Sequence, residues 1–271
     1  MYRVLVPVDR DERRAVSQAD YVVRLPDAPE SVEATVLYVV PPERFSRAES
    51  VSFADNEAAV AAADRLSAAG VETTRLVADG SVSREVVRTA DDVDADELVV
   101  GGRKRSGVTR VLLGSTAHDL LVSADRPVTI TGANAVLGEG SRTVMLPVDG
   151  SVDRARRQAE YVLGLPDAAA VEATVLYVFP HQDYRGAPEH AFDEIEAAVV
   201  AADELEAGGV SVERAAVGGE VASRIVAAAE DRDVDGVVMG GRKRSGVAKV
   251  LLGSTALDVV LSASRPVTLT G

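Results

Sequence analysis

The chain has 271 residues, 46% of them hydrophobic, and a net charge of −14, because 43 acidic residues outnumber 29 basic ones. This length suits two small domains, and the apolar fraction supplies ordinary packed cores. So acidic a chain is a poor candidate for binding nucleic acid or an anionic membrane surface, since both require a basic face.

Only three of the basic residues are lysines, at positions 104, 243 and 249. High acidity with scarce lysine is typical of salt-loving organisms, and we favour a halophilic archaeon as the source. A GC-rich genome, which favours arginine codons, is the alternative. The chain has no cysteine, so disulfides and thiolate catalysis are excluded. Its first apolar run is too short for a signal peptide and no run approaches the ~18 residues of a membrane span, so we expect a soluble, cytoplasmic protein without membrane insertion.

Strand and helix signals alternate along the first half of the chain. Apolar, β-branched runs predict strands over residues 2–8, 32–40, 71–78, 96–102 and 126–131. Helical spacing of apolar residues predicts helices over residues 12–25, 55–70, 82–93 and 115–124. Ser81 is a candidate N-cap for the third helix. This order predicts an α/β fold with a parallel sheet, helices on both faces and right-handed crossovers.

The second half repeats the first. "VLVPVDRD" at 4–11 returns as "VMLPVDGS" at 144–151, and residues 101–132 share 24 of 32 identities with residues 240–271. The offset is 140 at the start and 139 from residue 32 onward. The segment between the copies consists largely of small residues and is rich in glycine, as is typical of a linker. We therefore predict a first domain over 1–132, a linker over 133–142 and a second domain over 143–271.

Two features converge at the carboxyl edge of each predicted sheet. The first strand ends in "PVD", with Asp9 and Asp149, and the fourth ends at Gly101 and Gly240. After a loop of twelve residues, Gly-Ser-Thr opens a helix whose exposed amides can hold a phosphate. Thr116 with Asp119, and the equivalent pair in the second copy, resemble capping boxes. The aspartates can accept hydrogen bonds from a ribose or an adenine amine, or cap the next turn; spacing alone leaves both open.

These features resemble the universal stress protein family, whose nucleotide signature is G-x2-G-x9-G-[ST] after the fourth strand. The "PVD" strand end, the "LYVV" second strand and the "RPVT" closing strand extend the resemblance over nearly the whole chain. The resemblance implies two tandem Rossmann-like domains (adenine nucleotide alpha hydrolase-like), each with a five-stranded parallel sheet. It also implies a site for ATP or another adenine nucleotide, with Mg²⁺ alongside. The residues carried over are Asp9, Val39, Val100, Gly101, Gly114, Ser115 and Thr116, and Asp149, Val178, Met239, Gly240, Gly253, Ser254 and Thr255.

The second glycine of the signature is replaced by Lys104 in the first copy and Lys243 in the second. Each lysine lies between two arginines, which raises the local positive potential in an otherwise acidic chain. A lysine here could pair with phosphates as a point charge, fill the pocket, or pair with surface acids. We favour a role facing the ligand and include both lysines among the candidate site residues.

The sequence offers no catalytic or metal-binding residues that we would name. His181 and His190 flank acidic residues but lack a helical i, i+4 spacing, so a metal site there is a weak hypothesis. The expected function is that of a stress-response or regulatory protein whose adenine nucleotide tunes its conformation or partner contacts, with at most slow ATP hydrolysis. The alternative is a nucleotide-free adaptor or chaperone-like module whose basic loops contact anionic partners.

The closing strands of the two copies, residues 126–131 and 265–270, would be aggregation-prone if their edges were exposed. In the family such strands commonly pair between the subunits of a dimer. We therefore expect the two to face each other as an intramolecular pseudo-dimer, which could pair further into a homodimer. The second copy has Gly150-Ser151 where the first has Arg10-Asp11, closer to the family pattern, so we expect its site to be the more typical one.

Overall fold

The computed structural model describes residues 1–42, 51–104, 111–132, 141–180, 191–244, 247–251 and 253–271. In the first copy the strands are β1 (Tyr2–Val8), β2 (Val32–Val40), β3 (Glu72–Asp79), β4 (Glu97–Lys104), β5 (Val111–Leu112) and β6 (Val128–Gly132). The helices are α1 (Glu12–Val23), α2 (Ala28–Ser31), α3 (Glu57–Ala68), α4 (Val82–Asp92) and α5 (Ser115–Ser123).

The second copy repeats this order, with a short 3-10 helix (Ala168–Ala170) in the place of α2. Its strands are β7 (Arg142–Val148), β8 (Val171–Phe179), β9 (Ser211–Gly218), β10 (Gly236–Gly240), β11 (Arg242–Arg244), β12 (Val247–Leu251) and β13 (Val267–Thr270). Its helices are α6 (Val152–Leu163), α7 (Glu196–Ala207), α8 (Val221–Asp231) and α9 (Ser254–Ser262). Of the predicted linker, residues 133–140 lie outside the described residues, and β7 already begins at Arg142.

Five parallel strands form the sheet of each copy, in the order β3-β2-β1-β4-β6 and β9-β8-β7-β10-β13. The predicted α/β fold with a five-stranded parallel sheet is therefore confirmed for both copies. The two sheets join through β6 and β13, which pair antiparallel with Thr129 opposite Thr268.

Helices cover both faces of the sheet, as predicted. Along β1, Val4, Val6 and Val8 pack in one apolar core, with Ala19 of α1, while Leu5 points to the other, with Leu120 of α5. This strict alternation follows from the two-residue period of a strand buried on both faces. None of the helices in the described parts of the chain has the length and apolar character that a membrane span needs.

Local features differ from expectation at the loops and caps. The loop predicted after Gly102 contains a hairpin, because β4 continues to Lys104 and pairs antiparallel with β5, and β11 pairs likewise with β12. Ser81 occupies the N-cap of α4, but its side chain makes no capping hydrogen bond to the described residues. At the equivalent position, Glu220 does cap α8, accepting hydrogen bonds from the amides of Ala222 and Ser223.

Candidate functional site

A cleft of about 550 Å³ opens at the carboxyl ends of β1 and β4, where the strand order of the first sheet reverses. Ligand sites of α/β sheets occur at this position, and the volume lies in the usual range for small-molecule sites. Seven of the eight residues predicted for this site line the cleft: Asp9, Val39, Val100, Gly101, Gly114, Ser115 and Thr116. Residues that were separated by more than a hundred positions in the sequence thus meet at one edge of the sheet.

The second copy has an equivalent cleft of about 230 Å³, less than half as large. Its lining includes Asp149, Val178, Met239, Gly240, Gly253 and Thr255, whereas Ser254, the first residue of α9, is not in its lining. The second site, expected to be the more typical one from its "DGS" sequence, is the smaller.

The backbones of Lys104 and Lys243 lie in the hairpins that follow the clefts. Lys104 is paired with Val111 at the end of β4, and Lys243 with Val250 in the β11–β12 ribbon. Their side chains fall outside the described residues, as do residues 181–190 with their two histidines. Their roles therefore stay predictions.

Asp9 is fixed by two interactions at the start of the loop between β1 and α1. Its Oδ1 accepts a hydrogen bond of 2.9 Å from the amide of Asp11, and its Oδ2 is paired with the guanidinium of Arg14. The helix itself is capped by Asp11, whose Oδ1 accepts from the amide of Arg14. Asp9 therefore stabilises the turn, as one of the two predicted roles requires, and it also lines the cleft. Its role as an acceptor for a ribose or adenine stays a prediction.

Asp149 is held in the same way. Its Oδ1 accepts a 2.9 Å hydrogen bond from the amide of Ser151, and Nε of Arg154 lies 2.9 Å from its Oδ2. The first copy differs in that Arg14 also contacts Asp11, at 2.9 Å, a position that is serine in the second copy. An aspartate held by an arginine five residues later is thus common to both clefts.

Gln18 joins the two strands that flank the first cleft. Its Nε2 donates to the carbonyl oxygens of Pro7, at 2.9 Å, and Val99, at 2.7 Å. In the second copy Gln158 makes the same two bonds, to Pro147 at 2.9 Å and Val238 at 2.7 Å. These glutamines are buried, so the bonds satisfy strand carbonyls near the point where the strands part.

The glycine in the fourth strand of each copy, Gly101 or Gly240, has a packing role as well as a place in the cleft. A Cβ at Gly101 would lie 3.0 Å from Oε1 of Gln18 and 3.2 Å from Cβ of Arg14. A Cβ at Gly240 would lie 2.9 Å from Cβ of Arg154. Both glycines therefore allow the first helix of each copy to approach the sheet closely.

The helix whose N-terminus lies at each cleft begins two residues earlier than the capping-box prediction requires. Gly114 and Gly253 are the N-caps of α5 and α9, with extended backbone dihedrals, so Thr116 and Thr255 are the second residues of the helices. The predicted capping boxes are wrong for this reason. No side-chain oxygen in the described residues caps either helix, and the amides of the first turn are left for solvent or a ligand.

The opposite wall of the first cleft is apolar, formed by Val39 at the end of β2 and Val100 in β4, both nearly buried. At its rim, Nε of Arg10 donates a 3.2 Å hydrogen bond to the hydroxyl of Tyr38. Gly150 replaces Arg10 in the second copy, so the rims of the two clefts differ in charge.

Sequence reasoning missed four site residues: Arg14, Gln18, Arg154 and Gln158. Their signal was present, since the pattern D-x4-R-x3-Q starts at both Asp9 and Asp149. Because this spacing places the arginine and glutamine on one face of a helix, it could have indicated that both side chains point to the strand ends.

Comparisons with known proteins agree with the duplicated fold. The family model of the universal stress protein family matches residues 1–132 and again residues 140–271. No curated protein sequence matches the chain.

Solved structures resemble the chain over its full length. A universal stress protein from Archaeoglobus fulgidus DSM 4304 superposes with a TM-score of 0.70 at 21% identity, covering 99% of this chain and 97% of that one. A structure assigned to the same family from Pseudomonas aeruginosa UCBPP-PA14 gives a TM-score of 0.68 at 17% identity, covering 100% and 93%. These structural likenesses show the fold, and the two family matches together span nearly all residues. The chain therefore belongs to the universal stress protein family.

Proposed function

We propose that this protein binds an adenine nucleotide in the cleft between β1, β4 and α5, and that occupancy tunes its conformation or partner contacts in a stress response. The observation that carries the proposal is the position of the α5 N-terminus, which no side chain of the described residues caps and which lines the same cleft as Asp9. The amide donors of the α5 N-terminus and the acceptor oxygens of Asp9 thus share one cavity. A nucleotide requires both, donors for its phosphate and an acceptor for its ribose hydroxyls.

The phosphates would lie at the start of α5. The amides after Gly114 lack a capping side chain among the described residues, and the helix dipole favours an anion there. The hydroxyls of Ser115 and Thr116 lie at the same end and can donate further hydrogen bonds. Lys104, if it reaches back from the hairpin, would add a positive charge to the phosphate end.

The ribose and base would occupy the strand side of the cleft. Asp9 is ionically held by Arg14, so its carboxylate is oriented before a ligand arrives, and it can accept hydrogen bonds from ribose hydroxyls or the adenine amine. Val39 and Val100 provide an apolar wall for a flat base.

The second cleft would bind more weakly or a smaller nucleotide, because it holds less than half the volume. Mg²⁺ would arrive with the phosphates, since that ion is commonly bound through one or two carboxylates and substrate oxygens. Hydrolysis of ATP, where it occurs, would be slow, because the carboxylates of Asp9 and Asp149 are each paired with an arginine and poorly placed as general bases.

The cellular context belongs to the same proposal. The paired β6 and β13 edges would let one chain act as the pseudo-dimer that two single-domain subunits would otherwise form, with a homodimer of two such chains as a further assembly. The acidic, lysine-poor composition supports a halophilic archaeal source and a cytoplasm of high salt.

Thermal unfolding with and without ligand tests the proposal. In concentrated KCl, we expect ATP, ADP and AMP each to raise the unfolding temperature, with adenosine less effective because it lacks the phosphate that α5 would hold. GTP serves as the control for the base. If none of the adenine nucleotides shifts the transition, the nucleotide proposal fails and the adaptor alternative is favoured. Release of phosphate from ATP above background would add an enzymatic activity.

A further inference from the structure

Two pairs of equivalent residues meet where the copies join. The hydroxyls of Thr129 and Thr268 lie 2.6 Å apart, and those of Tyr21 and Tyr161 lie 3.0 Å apart. Since each pair consists of the same position in the two copies, both pairs lie on a local pseudo-twofold axis. All four residues are buried.

One carboxylate breaks this symmetry. Glu97 is 0% exposed, and its two oxygens accept hydrogen bonds from both axial tyrosines, from Tyr21 at 2.9 Å and Tyr161 at 3.1 Å. The hydroxyl of Tyr2 donates to it at 2.9 Å, and Thr129 also donates to it. The first copy thus supplies a fully buried acid to which the second copy donates through Tyr161.

The equivalent of Glu97 in the second copy is Gly236. Of the described residues that are not its chain neighbours, a Cβ there would meet just the carbonyl oxygen of Pro266, at an ordinary 3.5 Å. The backbone therefore does not force a glycine at this position. A glutamate there, however, would add a second carboxylate to the buried centre. By the pseudo-symmetry it would approach the same two tyrosine hydroxyls as Glu97, and two carboxylates would share one buried site.

The two copies also contribute different cationic residues around this centre. Arg142 occupies the position that is Tyr2 in the first copy. The guanidinium of Arg142 lies 4.7 Å from the ring centroid of Tyr21, and its Nη1 donates a hydrogen bond of 3.1 Å to the carbonyl oxygen of Arg24. Arg24, which is glycine in the second copy, lies 3.2 Å from the carboxylate of Asp235, whose side chain is 1% exposed. These contacts also run between unlike residues of the two copies.

We propose that the surface around β6 and Glu97 is a selective interface that accepts the second copy and rejects another first copy. In a pair of first copies, two Glu97 carboxylates would compete for the axial tyrosines, and Arg142 would be missing. In a pair of second copies, the tyrosines would lack their acceptor, and Asp235 would lose Arg24. Removing one partner from a buried charged pair is costly, so such centres discriminate strongly between partners. The interface keeps the β6–β13 pairing between unlike copies, and this role does not depend on nucleotide binding.

Variants of the full chain test the interface by changing the number of carboxylates at its centre. Gly236→Glu makes the second copy resemble the first at this position. Gly236→Gln adds nearly the same volume without a charge and is the matched control. The double variant Glu97→Gly/Gly236→Glu keeps a single carboxylate but moves it to the other copy, beside Arg142. Native-state hydrogen exchange of the β6 and β13 amides near pH 8 reads out the pairing, with β2 and β8 as internal references.

We expect Gly236→Glu to accelerate exchange in β6 and β13 at least about tenfold relative to β2 and β8. Gly236→Gln and the double variant should stay within about threefold of the wild type, since neither holds two charges. The proposal is overturned if Gly236→Glu exchanges like the wild type, if Gly236→Gln is equally disruptive, or if the double variant is no better protected than Gly236→Glu.

Discussion

The guanidinium of Arg14 is paired with the carboxylate of Asp9, five residues earlier in the chain, at the edge of the larger cleft. The second copy reproduces the pair with Arg154 and Asp149. An ion pair at the surface contributes little to stability, but here it fixes the orientation of an acceptor that faces a cavity. This preorganisation has consequences for ligand binding that can be measured.

Arg14→Ala is expected to weaken ATP binding at the first cleft roughly tenfold, because Asp9 then loses the contact that orients its carboxylate. Arg13→Ala removes the same charge from the exposed side of α1 and is the control. Titration calorimetry at fixed salt measures both. Equal ATP affinities of Arg14→Ala and the control would show that the pair of Arg14 with Asp9 does not contribute to ligand binding.

Gly101→Ala is expected to lower the free energy of unfolding by about 1–3 kcal/mol, because its Cβ would press on Gln18 and Arg14. Gly132→Ala is the matched control: within the described part of the chain, no atom of a non-adjacent residue lies within 4 Å of that Cβ, so a change within about 0.5 kcal/mol is expected. Urea unfolding measures both. An unchanged free energy of unfolding in Gly101→Ala would mean that α1 can move away from the added Cβ at no cost.

Glu97 predicts a pH dependence of stability. Burial outweighs the hydrogen bonds from Thr129, Tyr2 and Tyr21 and raises the pKa of the Glu97 carboxyl above its ordinary value of 4.5. A raised pKa in the folded state means that the folded protein binds the proton more tightly than the unfolded chain does. The stability from this group is therefore fully present below about pH 4.5 and is lost as the pH rises through the folded pKa.

Glu97→Gln isolates this contribution, since glutamine does not titrate and every other carboxyl is common to both proteins. We expect the unfolding free energy of the wild type, minus that of Glu97→Gln, to decline as the pH rises from 4.5. Denaturant unfolding over pH 4 to 8 gives the difference. A difference that stays constant or increases with pH would contradict the assignment of a raised pKa to Glu97.

Lys104 and Lys243 in the hairpins are expected to bind the phosphates of the nucleotide. Lys104→Ala with Lys243→Ala should weaken ATP binding roughly tenfold and AMP binding less, because ATP places more charge near the loop. The double variant Arg13→Ala/Arg156→Ala removes two exposed cations, one on α1 and one on α6 that is paired with Glu204 of α7, and controls for net charge. Tighter binding of ATP by the lysine variant would instead show that the lysines occupy the place of the phosphate.

The fold could be predicted because its signals are local and occur twice. β-branched runs such as residues 32–40 and the "PVD" ends give the strands and the edge on which Asp9 lies. The start of α5 at residue 115 was predicted correctly, but its cap was not: Thr116 and Asp119 match a capping box in sequence, while Gly114 adopts the extended backbone of the N-cap.

The centre of the interface could not be predicted from the sequence in the same way. Glu97 follows an aspartate at the start of a strand, where a charged residue is ordinarily exposed. Its burial depends on Tyr21 and Thr129 of its own copy and on Tyr161 of the other, far away in sequence. The joining of the two copies through β6 and β13 brings Tyr161 to this group.

The most direct test of nucleotide binding is calorimetric titration of ATP into the full chain at high salt, for the wild type and for variants of the helix starts. Ser115 is exposed as the first residue of α5, so Ser115→Asp places a carboxylate where the phosphate would lie. An acid in the first turn stabilises a helix by about 0.3–1 kcal/mol, so lost binding would not reflect unfolding. Ser254 does not line the second cleft, but Ser254→Asp places a carboxylate in the first turn of α9, between Gly253 and Thr255, which do line it.

We expect the wild type to bind between about one and two ATP per chain, given one larger and one smaller cleft. Ser115→Asp should abolish the tighter event, and the double variant with Ser254→Asp should bind none. Absence of binding by the wild type, or unchanged binding by the double variant, would contradict the central claim that these clefts hold an adenine nucleotide.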